Sequence, residues 1–361
     1  MHFALVMVSY ILNKILYSLL VLWGVATVVF FLFNLQPGDP ARMVAGQRAD
    51  EKSLAAIRKD LGLNQPLLNR YLFYLNDLSP ISINEMKDKD SGAFIQSDNY
   101  NTLFYLGTKA LVIKQPYLRR SFQSRRPVGD VIGDAMPATA ALAVAAIVFA
   151  TIVGIFLGIV CALFKDKWID RLILFMASLG TAGPSFFVGI IVAWLFGFVL
   201  SNYTGLNTTG NLYSIDPFAG KYLDLKNIIL PALTLGIRPL AIITQLARNA
   251  MLETLSMDYI RTARAKGLKF SNILWTHALQ NSLNPLVTAI SGWFAGMMAG
   301  AVFIEYIFGW RGIGNELVEA LSKYDLPVVM GAVLVIASVF VIVNLLVDII
   351  YGLIDPRIRV K

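Results

Sequence analysis

Residues 135–164, AMPATAALAVAAIVFATIVGIFLGIVCALF, contain no Asp, Glu, Lys or Arg. A helix needs roughly 20 predominantly apolar residues to cross a hydrocarbon core about 30 Å thick, and this run exceeds that length. Five further apolar runs also reach that length: 172–200, 278–304 and 326–347 without charge, 10–33 with Lys14, and 227–247 with Arg238. The sequence therefore predicts an all-α polytopic membrane protein with six transmembrane helices.

Composition supports this class. Of the 361 residues, 57% are hydrophobic and 15% are charged, whereas soluble domains average about 45–50% apolar and about 25% charged residues. The first run could be a cleaved signal peptide, but it is longer than the usual apolar region of about 7–15 residues and lacks an A-x-A-like site before Pro37. It is interpreted as a transmembrane helix.

The distribution of cations sets the predicted orientation. Short cytoplasmic loops carry an excess of Lys and Arg. With a cytoplasmic N-terminus, the inside segments hold Lys14, Lys165, Lys167, Arg171, Arg248, Arg261, Arg264, Lys266, Lys269, Arg357, Arg359 and Lys361. The short outside loops hold only Lys221, Lys226, Arg311 and Lys323. Both termini are therefore predicted to be cytoplasmic, and topology explains the net charge of +8 without a nucleic-acid partner.

Three domains follow from this topology: an N-terminal transmembrane helix (1–34), an extracytoplasmic region (35–134) and a five-helix core (135–361). The extracytoplasmic region contains two helical stretches, 53–63 and 66–78, followed by polar sequence. A second outside segment, EYIFGWRGIGNELVEALSKYDLP at 305–327, has glycines that suggest a tight, re-entrant or surface turn.

The cytoplasmic loop 252–284 carries the most informative pattern, DYIRTARAKG at 258–267. Ser256 and Asp258 are candidates for a helix N-cap. A short cationic helix is predicted over 259–266, ended by Gly267, because glycine tolerates the left-handed conformation that commonly follows a helix. A second short helix over 273–279 leads to Pro285, which suits the start of the next helix. From the residues alone, an ordinary interfacial connector explains the loop equally well.

Separated motifs give a resemblance to a known family. RTARAKG at 261–267 with HALQNSLNP at 277–285 resembles the cytoplasmic coupling loop of binding-protein-dependent ABC importer permeases, nearest to the B-type permeases of dipeptide and oligopeptide systems. Other matching segments are QPGDP (36–40), LGLNQPL (61–67), SFQSRRPVGDVIGDAMPAT (121–139), GWRGIGNELVEALSKYDLPVV (309–329) and NLLVDIIYGLIDPRIR (344–359). The loop departs from the family pattern by having Arg261 and Thr262 where Glu-Ala is usual, and 80–117 resembles an insertion.

The resemblance implies the core of a type I ABC importer in the bacterial cytoplasmic (inner) membrane. The implied partners are a second homologous permease, two ATPase subunits, an extracytoplasmic substrate-binding protein, the lipid bilayer and a peptide substrate. Nickel chelates, glutathione or short sugars are alternative substrates. The implied ATPase-coupling residues are Asp258, Tyr259, Arg261, Thr262, Ala263, Arg264, Ala265, Lys266 and Gly267.

No catalytic, metal or cofactor site is predicted. The sequence has no G-x-x-x-x-G-K-[ST] phosphate-binding loop, so ATP hydrolysis is assigned to the partner subunits. One cysteine, Cys161, and two histidines, His2 and His277, leave little for disulfides or zinc. A stand-alone secondary transporter is less favoured, because such carriers usually need carboxylates or histidines at mid-depth, whereas Glu305, Asp348 and Asp355 lie near the ends of the runs.

Two features are candidates for a translocation path. Arg238 is a lone cation well inside an apolar run. Its charge there requires water, a ligand such as a peptide carboxylate, or a partner carboxylate such as Glu305, unless the side chain extends to the outer interface. Small residues recur every four positions at 154/158, 189/193/197 and 292/296/300, a spacing that lets helices pack closely. The residues predicted to line the path are Arg238, Gly292, Gly296, Met297 and Gly300.

Overall fold

A computed structural model describes residues 2–34, 41–42, 50–60, 63–85, 100–107, 109–218 and 220–354. The QPGDP motif, residues 86–99 of the 80–117 insertion, and the C-terminal residues Asp355, Arg357, Arg359 and Lys361 lie outside the described residues. The chain divides into two compact units. One comprises Met1–Asp134 with Glu316–Ser338, and the other comprises Ala135–Asn315 with Val339–Lys361.

Within the described ranges, four helices are long and apolar enough to cross a membrane, and up to six spans exist if each of two bent helix pairs counts as one. The four long helices are α1 (His2–Asn34), α4 (Val128–Leu163), α8 (Lys226–Ser256) and α15 (Leu326–Ile354). Their low content of charged residues explains why each run was recognised in the sequence. The prediction of six spans therefore holds only when the bent pairs are counted as spans.

The run 172–200 was predicted as one helix and is instead a broken pair. Helix α5 (Trp168–Ala182) and helix α6 (Ser185–Trp194), which continues as a π-helical turn (Leu195–Val199), are bent by 110°. Gly183 is extended (φ −89°, ψ 154°), because a residue that precedes proline avoids the α region, and Pro184 then forms the N-cap of α6. The run 278–304 is bent by 59° between α12 (Asn284–Gly300) and α13 (Val302–Phe308).

The first unit corrects the prediction of an all-α fold. Beside the expected helices α2 (Glu51–Asp60) and α3 (Leu67–Leu78), it holds strands β1 (Ile81–Glu85), β2 (Tyr100–Leu106) and β3 (Lys109–Lys114). They form an antiparallel sheet in the order β1-β3-β2. Along β3, exposed Lys109 and Ile113 alternate with buried Ala110 and Val112, which is the period of two expected of a half-buried strand.

Aromatic packing and buried polar contacts stabilise this unit. Phe30 of α1 packs against Tyr74 of α3, with ring centroids 5.3 Å apart. Asp77 at the end of α3 pairs with Arg119 at 3.3 Å. Burial raises the pKa of the Asp77 carboxyl, while the charge of Arg119 opposes this change.

The second unit is built around the contact between α4 and α8. A Cβ added at Gly158 would collide with the Cβ of Ala247 and lie 2.8 Å from the carbonyl oxygen of Thr244. The absence of a side chain at Gly158 therefore lets the two helix backbones approach closely. The remaining elements are α7 (Ser201–Thr204), the antiparallel strands β4 (Tyr213–Asp216) and β5 (Gly220–Leu223), the short helices of the 252–284 loop, and α14 (Ile313–Ser322), which begins in this unit.

Candidate functional site

The 252–284 loop forms a helical knob next to the end of α8. Helix α9 (Asp258–Ala265) is followed by α10 (Phe270–Asn272), a π-helical turn (Ile273–Leu279) and α11 (Gln280–Ser282). Pro285 then lies in the first turn of α12. The predicted helix over 259–266 corresponds to α9, whereas the predicted helix over 273–279 is the π-helical turn; Pro285 lies at the helix start expected from the sequence.

Helix α9 ends in a Schellman motif centred on Gly267. The N–H of Gly267 donates to the carbonyl of Arg264 at 2.9 Å, and the N–H of Leu268 donates to the carbonyl of Ala263 at 3.3 Å. These bonds satisfy carbonyl groups that the helix end leaves free. Gly267 has φ +75°, so the prediction that a glycine in the left-handed region ends this helix is confirmed.

The N-cap prediction is wrong. Met257 occupies the N-cap, and no side chain donates or accepts a capping hydrogen bond there. Ser256 is still part of α8, and its hydroxyl donates to the carbonyl of Glu253 at 2.7 Å. Asp258 is the first residue of α9, where its negative charge complements the positive end of the helix dipole.

One face of α9 packs onto the rest of the second unit. Ile260 and Ala263 are buried in a cluster with Ile159 of α4, Met251 of α8 and Leu274 of the knob. The knob is thus joined to two long helices through apolar contacts. Ala263 faces this cluster, so this member of the predicted coupling set packs inward and is not part of the exposed face of α9.

The opposite face of α9 is polar and exposed. Arg261 pairs with Asp258 at 3.3 Å, but both side chains are largely exposed, so the pair adds little stability. The hydroxyl of Thr262 donates to the carbonyl of Asp258 at 3.0 Å. The exposed residues of the predicted coupling set are Asp258, Tyr259, Arg261, Thr262, Arg264, Ala265, Lys266 and Gly267.

Arg238 lies in the central part of α8 and lines a cleft of about 170 Å³ with Trp293, Gly296 and Met297 of α12. Among the residues that the structure describes, no hydrogen bond or ion pair reaches the Arg238 side chain. Gly292 and Gly296 belong to the same helix, and a Cβ added at either would meet nothing within 4 Å. Gly300 is the last residue of α12. The structure therefore brings Arg238, Gly296 and Met297 together.

Glu305 does not pair with Arg238, which removes that alternative. Its carboxylate is fully buried and accepts hydrogen bonds from the Thr139 hydroxyl at 2.8 Å and from the N–H groups of Gly314 and Asn315 at 2.7 and 3.2 Å. The indole of Trp310, also fully buried, donates to the carbonyl of Ala138 at 2.8 Å. Trp310 and residues 312–315 are thus held inside the unit, while Gly309 and Arg311 are exposed.

The sequence reasoning missed a buried ion pair beside the knob. Arg248 of α8 donates through Nε and Nη2 to the two carboxylate oxygens of Asp170 in the first turn of α5. The signals in the sequence were an acidic residue at a helix start and a cation near the end of an apolar run. Because Asp170 and Arg248 are 78 positions apart, these signals did not indicate that the two residues pair.

These elements define a multi-pass helical membrane protein with a structured loop between α8 and α12. The sequence model of the family described as "Binding-protein-dependent transport system inner membrane component" matches residues 154–360. A second, described as "Binding-prot-dependent transport system membrane comp, N-term", matches residues 7–91. The chain belongs to this family of transport permeases.

Relatives match over almost the whole chain. The dipeptide transport system permease protein DppB of Alkalihalophilus pseudofirmus is 33% identical over 98% of this chain and 100% of its own length. The probable D,D-dipeptide transport system permease protein DdpB of Escherichia coli K12 is 36% identical over 94% of each chain. The glutathione transport system permease protein GsiC of Escherichia coli O6:H1 is 31% identical over 98% of this chain and 100% of its own length.

Proposed function

We propose that this chain is the B-type permease of an ATP-driven peptide importer in the bacterial inner membrane. In this proposal it pairs with a second homologous permease, and the two form the translocation pathway of a type I importer. Two ATPase subunits lie below them and an extracytoplasmic binding protein delivers the substrate. The permease family supports the class, and relatives named for dipeptide and di/tripeptide transport support the substrate.

Helix α9 is the proposed coupling element. ATP binding closes the ATPase subunits, and a rigid element must carry that movement to the membrane helices. The observation that carries this proposal is the two-sided environment of α9: Ile260 and Ala263 are fixed in a cluster shared with α4 and α8, while Arg261 and Arg264 remain exposed. An exposed cationic face suits an acidic rim on the ATPase.

The proposed orientation has both termini in the cytoplasm and residues 35–134 outside. This orientation puts α9 on the ATPase side and the sheet of the first unit on the side of the binding protein. The residues proposed for the pathway are Arg238 with the open face of α12, which includes Gly292 and Gly296. Glutathione is a second candidate substrate, because a glutathione transport permease is 31% identical to this chain.

Affinity purification tests the proposed assembly. The tagged chain, extracted from its native membrane in mild detergent, should carry a second permease, ATPase subunits and a binding protein. Mass spectrometry of the bound ligand then identifies the substrate. Purification of the chain without any ATPase subunit would contradict the proposed class of machine.

A matched pair of variants tests the coupling role of α9. Ala265 is exposed and Ala263 is buried on the same helix. Ala265→Trp should preserve a folded permease but abolish ATPase co-purification and stimulated ATP hydrolysis, because the indole obstructs the docking face. Ala263→Trp should instead lower thermal stability by overpacking the apolar cluster. If Ala265→Trp retains full ATPase binding and transport, the loop is only an interfacial connector.

A further inference from the structure

The cleft around Arg238 is formed by three separate parts of the second unit. Gly180 and Ser185 come from the broken pair α5–α6, Thr234 and Arg238 come from α8, and Trp293 and Met297 come from α12. Arg238 lies twelve residues after the start of α8 at Lys226, about 18 Å along a helix that rises 1.5 Å per residue. The cleft therefore opens well away from both ends of the helix.

The free polar groups of the cleft can all donate hydrogen bonds, and the guanidinium of Arg238 can only donate. Among the described residues, neither the guanidinium of Arg238 nor the hydroxyl of Ser185 has a hydrogen-bond partner. The hydroxyl of Thr234 is already used, because it donates to the carbonyl of Leu230 at 2.9 Å. A guanidinium offers five N–H donors and no acceptor, so the vacant hydrogen-bonding capacity of this cleft calls for an acceptor.

The break before α6 brings the start of α6 to the same wall, next to the end of α5 that carries Gly180. Ser185 is the first residue of α6, and the first N–H groups of a helix lack intrahelical partners and carry partial positive charge. A single guanidinium in an apolar segment is costly unless it meets water, a partner or a ligand. The surrounding wall, which includes Trp293 and Met297, is mainly apolar.

We propose that this cleft binds the terminal carboxylate of the transported peptide, with Arg238 as the bidentate ligand and Ser185 as an additional donor. The inference rests on the proposed peptide importer and deepens it by assigning a substrate-recognition subsite. The planar guanidinium matches the two oxygens of a carboxylate. Trp293 and Met297 offer apolar contact to the adjacent side chain, and methionine adapts to different shapes.

Two peptides that differ only at the terminal carboxylate provide the test. The complete importer is reconstituted into liposomes with its binding protein. Initial uptake rates are measured for a dipeptide and for the same dipeptide with a C-terminal amide. The same binding protein is used with every permease variant. Its preference between the two peptides therefore cancels when the acid-to-amide ratio of uptake rates of each variant is compared with that of the wild type. The variants are Arg238→Gln, Arg238→Lys and Ser185→Ala, and Lys226→Gln removes an exposed cation from the same helix as a control.

The free-acid peptide should lose at least about tenfold in uptake rate in Arg238→Gln, as expected when hydrogen bonds to a charged group are removed. Uptake of the amide should change less than about twofold. Arg238→Lys should fall between wild type and Arg238→Gln, because it keeps the charge and loses the planar fork. Ser185→Ala should shift the acid-to-amide ratio in the same direction by a smaller factor. Lys226→Gln should leave the ratio unchanged.

Equal losses for both peptides in Arg238→Gln would assign Arg238 a structural role and overturn the subsite, as would an unchanged ratio in all variants. Should Arg238→Gln fail to assemble, the ratio measured in Ser185→Ala decides the question. A wild-type importer that transports neither peptide would instead refute the proposed substrate class. The two failures are therefore distinguishable.

Discussion

The guanidinium of Arg248 forms a bidentate ion pair with the carboxylate of Asp170. Nε donates to Oδ1 and Nη2 donates to Oδ2, each at 2.7 Å. The Asp170 side chain is 2% exposed, and it also accepts the N–H of Asp166 at 2.9 Å. This contact fastens the first turn of α5 to α8 near the knob. If α9 is the coupling element proposed above, we expect this ion pair to pass a movement of α8 on to α5.

Replacing Asp170 with Asn should destabilise the protein strongly. The substitution leaves Arg248 as a largely buried cation without its counter-charge, and breaking a buried pair in this way typically costs about 3–5 kcal/mol. Thermal unfolding of the purified chain in detergent measures the effect. Asp166→Asn removes the same charge at an exposed position of the same loop and should leave the unfolding temperature nearly unchanged. Equal unfolding temperatures for both variants would show that the pair is dispensable.

The end of α9 depends on backbone conformation rather than on space. A Cβ added at Gly267 would meet nothing within 4 Å, but φ is +75°. Gly267→Val should therefore impair ATPase co-purification more than Lys266→Ala, because a β-branched residue is strained at positive φ. Gly267→Asn should retain most activity, because asparagine tolerates the left-handed region. If Val and Asn behave alike, the turn at Gly267 does not position the coupling helix.

Two glycines of the second unit should respond differently to the same added methyl group. Gly158→Ala forces α4 and α8 apart, because the new methyl group collides with Ala247, and overpacking of this kind costs typically about 1–3 kcal/mol. Gly292→Ala places its methyl group in open space and should leave the stability of the isolated chain unchanged. Thermal unfolding of the two isolated variants checks the contrast. Comparable destabilisation would mean that α12 has an intrachain neighbour at Gly292.

Cysteine labelling tests the predicted topology. In a Cys161→Ala background, single substitutions Ser124→Cys and Ser271→Cys place exposed thiols in the extracytoplasmic region and in the knob. A membrane-impermeant maleimide added to intact cells should label the first and not the second. Permeabilised cells, in which both should react, provide the control. Labelling at position 271 from outside would show that the knob is extracytoplasmic and would contradict its assignment to the ATPase side.

Features set by local chemistry were predictable from the sequence. Charge-free runs identified the apolar helices, and Gly267 identified the end of α9. Features set by distant contacts were not predictable. The pairing of Asp170 with Arg248 and the inward orientation of Ala263 depend on how helices pack. The sheet of the first unit was missed, because the paired residues of β1 and β3 are 24 or more positions apart and meet only in the folded chain.

The sequence analysis also missed the bend at Gly183 and Pro184, although a proline within an apolar run is a visible signal of a helix break. A 29-position run without charge predicted a single helix, and its composition favoured the membrane. The competing rule was local: the residue before a proline avoids the α region. The composition correctly predicted an apolar segment, but the Gly183–Pro184 dipeptide determines where the segment bends.

That bend has a consequence for biosynthesis. Helix α5 has 15 residues, and its partner is a ten-residue helix with a five-residue π-helical turn. At about 1.5 Å per residue, neither half alone reaches across a hydrocarbon core about 30 Å thick. We therefore expect the two halves to enter the membrane together rather than one after the other.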